Sequence, residues 1–564
     1  MNSSAEPPRP PAPRPVVSSE SVARLPRWPL WLLCLAYVLP GFIGRDPWTG
    51  DGQTFGVAWQ IALGHSSWLQ PSLWGHAVDG GWLAYWLGAA SLKLFGHWLG
   101  APAATRLPFM LLLALCLAQI WQAAYQLALR EEAQPVRPAF GEPVPRKAYA
   151  RAMADGALLS LLACLGLLVR GHETTPALVQ LLGVGGLLLG LALLPGRRPG
   201  SCAAMLAGLL ALAFGGAAWL GLFAALLAGV LLGHPLLRGW RTLPALTLAV
   251  AGGACIAVLL HLHGATEARW PSAASAQHFV GVLAWFLWPA WPLACWAVWR
   301  WRASLGAWHV LAPLTLALLC LMSALLSSSG SAPLLLVLPP AAVLGSLALP
   351  VMRRGSLAAL DWFALMFFSL LALVVWVLWV ALLTGEPAHP AANIARLAPG
   401  YHAHLRVLPL LLALLATAAW AAVVAWRAGR HRHPLWKGMV LSAGGVTLVW
   451  LLVGTLWLPV LDYASSYRAL GFGIADALRE HGAGPAPRVQ TLGLNPAQQA
   501  LLGYWSSAHF EPGAWPQARR APYVLTLTRG PWMPHPLPGT LLWSGHRPGE
   551  SDEMLRLWRR DPPR

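Results

Sequence analysis

Charge is what this chain lacks. Only 11% of its 564 residues are Asp, Glu, Lys or Arg, against roughly 25% in an ordinary soluble domain, and so few cannot coat a globule of this size in water. The shortage excludes a soluble multidomain enzyme. It also excludes a disordered chain, which needs low hydrophobicity and high net charge. Acidic residues are the scarcer sign, 21 against 39 Lys and Arg, for a net charge of +18. In a soluble protein that excess points to nucleic acid. Here the basic residues gather in short stretches between apolar runs, and no basic stripe interleaves with aromatics as single-strand grooves require. No nucleic-acid partner is expected.

Cysteine is sparse as well. Cys34, Cys116, Cys164, Cys202, Cys255, Cys295 and Cys320 all fall inside apolar segments, with no CxxC and no Cys/His zinc spacing. Neither disulfides nor a cysteine metal site is expected. Internal repeats are missing, and Asp and Glu are almost absent from the centres of the apolar runs. Both absences argue against a transporter built from inverted repeats with midplane charges.

What the chain has is apolar sequence, 57% by the AVILMFWYC count with a mean hydropathy of +0.55. Residues 1–27 are rich in Pro and Ser, carry Arg9, Arg14, Arg24 and Arg27, and read as a disordered cytoplasmic tail. The run from Trp28 to Ile43 reads as an uncleaved first span, because no small-x-small site closes it. Runs near the 20 residues a bilayer needs then centre near residues 115, 160, 185, 209, 227, 252, 289, 316, 342, 370, 416 and 448. Residues 201–236 are too long for one helix across about 30 Å of hydrocarbon at 1.5 Å per residue. Their flanks are both basic, Arg197/Arg198 and Arg238/Arg241, so a hairpin of two short helices is expected. That makes thirteen spans.

Basic residues mark alternate loops: Arg130 to Arg151, Arg197/Arg198, Arg238/Arg241, Arg300/Arg302, Arg353/Arg354 and Arg427 to Lys437. The intervening loops, such as Ser327 to Pro333 and Gly385 to Ala403, are poor in them. By the positive-inside rule the N-terminus is cytoplasmic, and an odd count puts the C-terminus on the outer face. Residues 463–564 are more polar. They predict a small α/β domain, with helices at Tyr467 to Glu480 and Asn495 to Tyr504, the latter begun by an Asn cap. Strands are expected at Arg488 to Leu492, Tyr523 to Thr528 and Thr540 to Ser544. The fold class is therefore an all-α polytopic membrane domain over 28–462 with a small C-terminal α/β domain.

The stretch between the first two spans, residues 45–99, is too long for a turn, and loops of that length are usually functional. Thr54 to Leu63 and Leu83 to Phe95 have helical spacing with Trp59, Trp82 and Trp86, as helices lying along the interface would. Asp46, Asp51 and Asp79 are its carboxylates, and Asp51 and Asp79 are expected to face a cavity mouth.

Several motifs in this stretch run in a recognisable order: Asp51-Gly52, Trp68 with Pro71, Asp79-Gly80-Gly81, Tyr85-Trp86, Lys93-Leu94-Phe95-Gly96 and Arg106-Leu107-Pro108. Arg45-Asp46-Pro47-Trp48 precedes them. The order resembles the first outer loop of integral-membrane glycosyltransferases of the GT-C fold, closest to the family of lipid A aminoarabinose transferases and protein O-mannosyltransferases. The resemblance implies an inverting transferase that moves a sugar from a polyprenyl-phosphate donor onto a lipid, glycan or protein acceptor. It places the reaction on the outer face of a bacterial inner membrane, with the C-terminal domain periplasmic. Asp51 matches the catalytic carboxylate, and Asp79 the second acid. Arg45 and Arg106 match phosphate contacts, and Asp46, His172 and Glu173 are further substrate-binding candidates. Read locally, Asp51 is equally a helix cap, and Arg45 and Arg106 equally anchors to lipid headgroups. A divalent ion is left open as a cofactor; His402 and His404 have a His-x-His spacing but no third ligand in view. The chain departs from the family's pattern at Gly52, at Gly80-Gly81 where a Lys-Pro is usual, around Trp219-Leu220, and before Pro339, where a tyrosine is missing. These departures support an alternative, a non-catalytic relative that binds lipid or acts as a scaffold.

Overall fold

The computed structural model describes residues 14–15, 17, 22, 27–78, 80–136, 143–261, 273–327, 332–352, 354–428, 437–513, 521–529, 539–550 and 552–560. Apolar runs become helices because lipid offers the backbone no hydrogen-bond partners. In chain order these are α1 (Arg27–Val38), α2 (Thr49–Ala62), α3 (Trp82–Leu99), α4 (Ala101–Ala128), α5 (Arg146–Leu162), α6 (Leu165–Arg170) and α7 (Pro176–Leu193). Then come α8 (Pro199–Phe214), α9 (Ala218–Leu231), α10 (Thr242–His261), α11 (Ala273–Phe286), α12 (Ala290–Arg300), α13 (Trp308–Leu326) and α14 (Leu338–Ser346). The last spans lie in α15 (Arg354–Thr384), α17 (Val407–Ala428) and α18 (Lys437–Leu452), with the short α16 (Ala388–Leu397) between the first two of these. Among the described residues, eight helices are long and apolar enough to cross a bilayer, and the pair α11–α12 makes a ninth. Three shorter apolar helices, α1, α8 and α9, and the 17-residue α5 stand at the remaining predicted positions. The protein is a multi-pass membrane protein.

The expected break within 201–236 falls at Gly215–Ala217, between α8 and α9. The span expected near residue 289 is instead bent by 94° between Phe286 and Ala290. Pro289 has no N–H to continue the helical ladder, so the helix stops and restarts there. The N-terminal segment is not wholly free. Val17 and Val22 are buried, and the Val136 N–H donates to the Pro15 carbonyl at 3.0 Å.

Both helices expected in the first loop form, α2 and α3, joined by the two-residue strands β1 (Ser72–Leu73) and β2 (His76–Ala77). Beyond α18 a π-helical turn, Val453–Trp457, leads into α19 (Leu458–Ser465). The C-terminal unit follows: α20 (Arg468–Glu480), β3 (Arg488–Leu492), α21 (Pro496–Ser506), β4 (His509–Pro512), β5 (Tyr523–Arg529), β6 (Thr540–Gly545) and β7 (Glu553–Arg559). Asn495 caps α21 through its side chain, as predicted. The sheet order is β4-β3-β5-β7-β6, parallel at β4-β3 and β3-β5 and antiparallel beyond. Strands β4 and β7 were not among the expected elements. Its core holds Ile474, Val489, Leu501, Phe510, Leu525 and Leu557.

Small residues let the two parts meet. A Cβ at Gly56 would stand 2.3 Å from the Ala500 Cβ, and one at Gly52 would stand 2.8 Å from the Ala497 carbonyl. Helix α2 thus lies directly on α21. The same device joins α7 to α8, where a Cβ at Gly208 would come within 2.6 Å of the Gly183 carbonyl and the Leu187 nitrogen. Because those neighbours are backbone, Gly208→Ala is expected to cost about 1–3 kcal/mol through forced separation of the helices. Thermal unfolding in detergent should show the loss, and an unchanged midpoint would mean the helices can part freely.

Candidate functional site

The first loop brings together most of the residues it was expected to contribute, but in an unexpected geometry. After α1 the chain turns through Leu39–Arg45 and starts α2 at Thr49. Asp51 falls in the first turn of α2, where the helix dipole favours a carboxylate. It accepts the Trp48 N–H at 3.3 Å. It is only 1% exposed. Its Oδ1 accepts from the Thr174 N–H at 2.8 Å and the Thr174 hydroxyl at 3.0 Å. Its Oδ2 pairs with Arg45 Nη1, and Arg106 Nη2 stands 3.5 Å away. Burial alone would raise the Asp51 pKa, but the two guanidiniums and the donated hydrogen bonds hold it well below the ordinary carboxylate range.

Arg45 and Arg106 are equally committed. Arg45 donates from Nε to the Gly41 carbonyl at 3.0 Å and from Nη2 to the His172 carbonyl at 3.1 Å, with its guanidinium over the Trp48 ring. Arg106, from α4, donates to the carbonyls of Arg45 and Asp46. Both arginines are buried. In this structure they hold Asp51 and the α1–α2 turn. Asp51 correspondingly lies inside the protein and is absent from the lining of the large cavity described below. Asp79 lies outside the described residues.

His172 is also turned inward. Its ring nitrogens lie 3.0 and 2.9 Å from the carbonyls of Leu168 and Tyr37, and it packs on Tyr37, Phe42 and Trp450. Burial pushes its pKa down to about 4, against the opposing pull of those carbonyls, so the ring is neutral and donates to one of them. Glu173 pairs with Arg170 at 3.0 Å. Burial raises its pKa, and the Arg170 charge opposes that.

Asp46 lies on the lining of a large cavity. A space of about 1530 Å³ lies between α1, α17, α18, α19 and the C-terminal unit. Leu32, Leu35, Leu412 and Leu448 are among its apolar wall, and the end next to the C-terminal unit carries Asp46, Asp462, Ser466, Arg468 and His546. His402, His404 and Arg406 lie on the same lining. Among the described residues no three His, Cys, Asp or Glu side chains are grouped to hold a metal ion. Asp462 was missing from the sequence reading. The signal for it was modest: a lone acid past Pro459 at the end of the last apolar run, the kind of ionisable residue that marks function at a span.

The helical membrane domain, the helix pair α2–α3 that follows α1 and the C-terminal α/β unit resting on α2 together have the GT-C fold. The solved structures carrying it include ArnT from Cupriavidus metallidurans bound to undecaprenyl phosphate, which matches with a TM-score of 0.62 and 12% identity over 94% of this chain and 98% of that one. ArnT from the same organism in the apo state matches at 0.61 with 14% identity over the same shares. In sequence, no family model and no curated protein matches the chain.

Removing the charge of Asp51 strands two buried arginines. Asp51→Asn is expected to destabilise the protein by about 3–5 kcal/mol, the usual cost of breaking a buried pair from one side, and detergent thermal shift measures it. Replacing Arg106 by Met as well should return part of that loss. Because the native pKa lies below the ordinary 3.8, the cluster's contribution is complete above that value and declines only as the pH falls below it. Stability that varied through this cluster between pH 5 and 8 would contradict the assignment.

Proposed function

We propose that the protein is a glycosyltransferase of the bacterial inner membrane, moving a sugar from a polyprenyl-phosphate donor to an acceptor on the outer face with inversion at the anomeric carbon. The observation that carries this reading is the cavity: apolar along three membrane helices, with two carboxylates among the polar residues at one end. A lipid chain fits the first part, and glycosyl transfer to a hydroxyl needs a carboxylate in the second. The undecaprenyl phosphate bound to ArnT, whose fold the chain shares, supports the class of donor. Within this reading the cluster of Asp51, Arg45 and Arg106 positions the site, and Asp46 faces the reactants. Asp79, His172 and Glu173 remain proposed substrate contacts by resemblance only.

One observation favours the alternative, a lipid-binding protein without activity. Arg45 and Arg106 share the Asp51 carboxylate as their ion-pair partner, and Gly80-Gly81 offers no further cation. The two readings separate in one assay. The purified chain in nanodiscs, given a panel of polyprenyl-phosphate sugars and acceptor lipids, is expected to consume at least one donor. Retention of undecaprenyl phosphate with no donor consumed from the whole panel would establish the non-catalytic reading instead. For the orientation, a reporter active only outside the cytoplasm, fused to the C-terminus, is expected to give signal. Signal from a cytoplasm-only reporter at that position would reverse the topology.

A further inference from the structure

The acid pair at the cavity end next to the C-terminal unit belongs to no motif of the resemblance except through Asp46. Asp462 stands on α19, just past the π-helical turn Val453–Trp457, a feature that often accompanies functional sites. Its Oδ1 accepts the Asp46 N–H at 2.8 Å and the Trp48 indole N–H at 2.9 Å. Asp46 in turn accepts the Ser466 hydroxyl on Oδ2 at 2.8 Å. Each carboxylate thus has one oxygen fixed, and among the described residues no hydrogen bond is made to the other oxygen of either. Both acids line the cavity. Two oriented carboxylates with open oxygens suit a hydroxyl group, which donates a hydrogen bond; they repel a bare phosphate.

The rest of the cavity says what carries that hydroxyl. Leu32, Leu35, Leu408, Leu412 and Leu415 line it and are between 45% and 69% exposed, so the groove opens sideways to the surrounding lipid. At its polar end Arg468 lies over Trp505 at 5.0 Å and Phe472 at 5.7 Å, and Arg406 is exposed on the same lining. These cations fit the anionic part of a headgroup.

We propose that this groove receives the acceptor, an anionic membrane lipid with a hydroxylated headgroup, and that Asp462, paired with Asp46, is the base that activates it. The proposal rests on the transferase reading. The acceptor O–H gives its proton to the open Asp462 oxygen as the acceptor oxygen bonds to the anomeric carbon. The bond from that carbon to the phosphate oxygen breaks, and its electron pair leaves with the polyprenyl phosphate.

The test uses the full chain in two arms. In the first, native mass spectrometry follows retention of phosphatidylglycerol, phosphatidic acid and undecaprenyl phosphate. Phosphatidylglycerol, anionic and bearing free hydroxyls, is expected to be retained over phosphatidic acid. Leu412→Trp, which fills the groove from a lipid-facing position, should abolish that retention while undecaprenyl phosphate stays bound. Loss of undecaprenyl phosphate instead would assign the groove to the donor and overturn the proposal, as would equal retention of the two glycerolipids. In the second arm, with a donor the parent consumes, Asp462→Asn should lower kcat by about 10²- to 10⁴-fold with the donor KM unchanged. Asn keeps an acceptor oxygen for both N–H groups, so the fold should hold, and thermal shift checks it. Full turnover in Asp462→Asn would overturn the role of Asp462. If the parent consumes no donor at all, the transferase reading fails, and the first arm still decides what the groove binds.

Discussion

The ion cluster of Arg45, Asp51 and Arg106 is the constraint on which the outer half of the protein depends. Taking three charges out of water costs several kcal/mol for each, and their mutual attraction returns that only when the remaining donors and acceptors are satisfied. Here they are largely satisfied by backbone. Asp51 takes the N–H groups of Trp48 and Thr174, Arg45 reaches the carbonyls of Gly41 and His172, and Arg106 reaches those of Arg45 and Asp46. Four segments meet at this point: the α1–α2 turn, α2 itself, the α6–α7 connection and α4. The cluster therefore does for irregular backbone what helical hydrogen bonds do for the spans. It gives several backbone carbonyls of an irregular turn a charged partner.

Two consequences follow from that anchor. Helix α2 is fixed in place, and through Gly52 and Gly56 it carries α21 and the C-terminal sheet. The turn is fixed as well, so that Asp46 points away from the cluster and meets Asp462 and Ser466 across the cavity end. The membrane helices contribute the apolar length of the cavity, while its polar end comes from segments outside the hydrocarbon. Tyr401 and Tyr463, with ring centroids 5.4 Å apart, join the connection before α17 to α19 at that end. The Tyr463 hydroxyl donates to the Pro399 carbonyl across the same junction.

Much of the architecture could be read from the chain because bilayer physics leaves few choices. A run of apolar residues has to become a helix, so all thirteen predicted segments have a helical counterpart, including the hairpin argued from length at 201–236. In the C-terminal unit the signals were local, an Asn cap at Asn495 and apolar strands, and those elements stand where expected. What escaped detection depended on partners distant in sequence. Strand β7 has little apolar alternation of its own, Glu-Met-Leu-Arg-Leu-Trp-Arg, and is stabilised between β5 and β6. The 94° bend at α11–α12 was masked by continuous hydrophobicity, although Pro289 marked it. The site was less legible still. Residue identity placed Asp51, Arg45 and Arg106 in one region, but whether they face a cavity or one another depends on α4 and the Thr174 loop.

That distinction changes how the motif should be read. The resemblance pairs an acid after the first span with Arg-Leu-Pro at the start of the second, and it assigns the acid to catalysis and the arginine to phosphate. In this structure Asp51 and Arg106, the residues at those two positions, stand 3.5 Å apart and share the burial. The pairing alone is enough to explain why both residue types occur together: without Asp51 the buried Arg106 would be an uncompensated charge. Co-occurrence of the two motifs is thus equally evidence for an ion pair. Held below its ordinary pKa by the two guanidiniums, Asp51 stays charged near neutral pH. The acids on the cavity lining are Asp46 and Asp462. They lie at the two ends of the membrane domain's sequence, Asp46 after the first span and Asp462 after the last, brought together by the closing of the helical ring between α1 and α18.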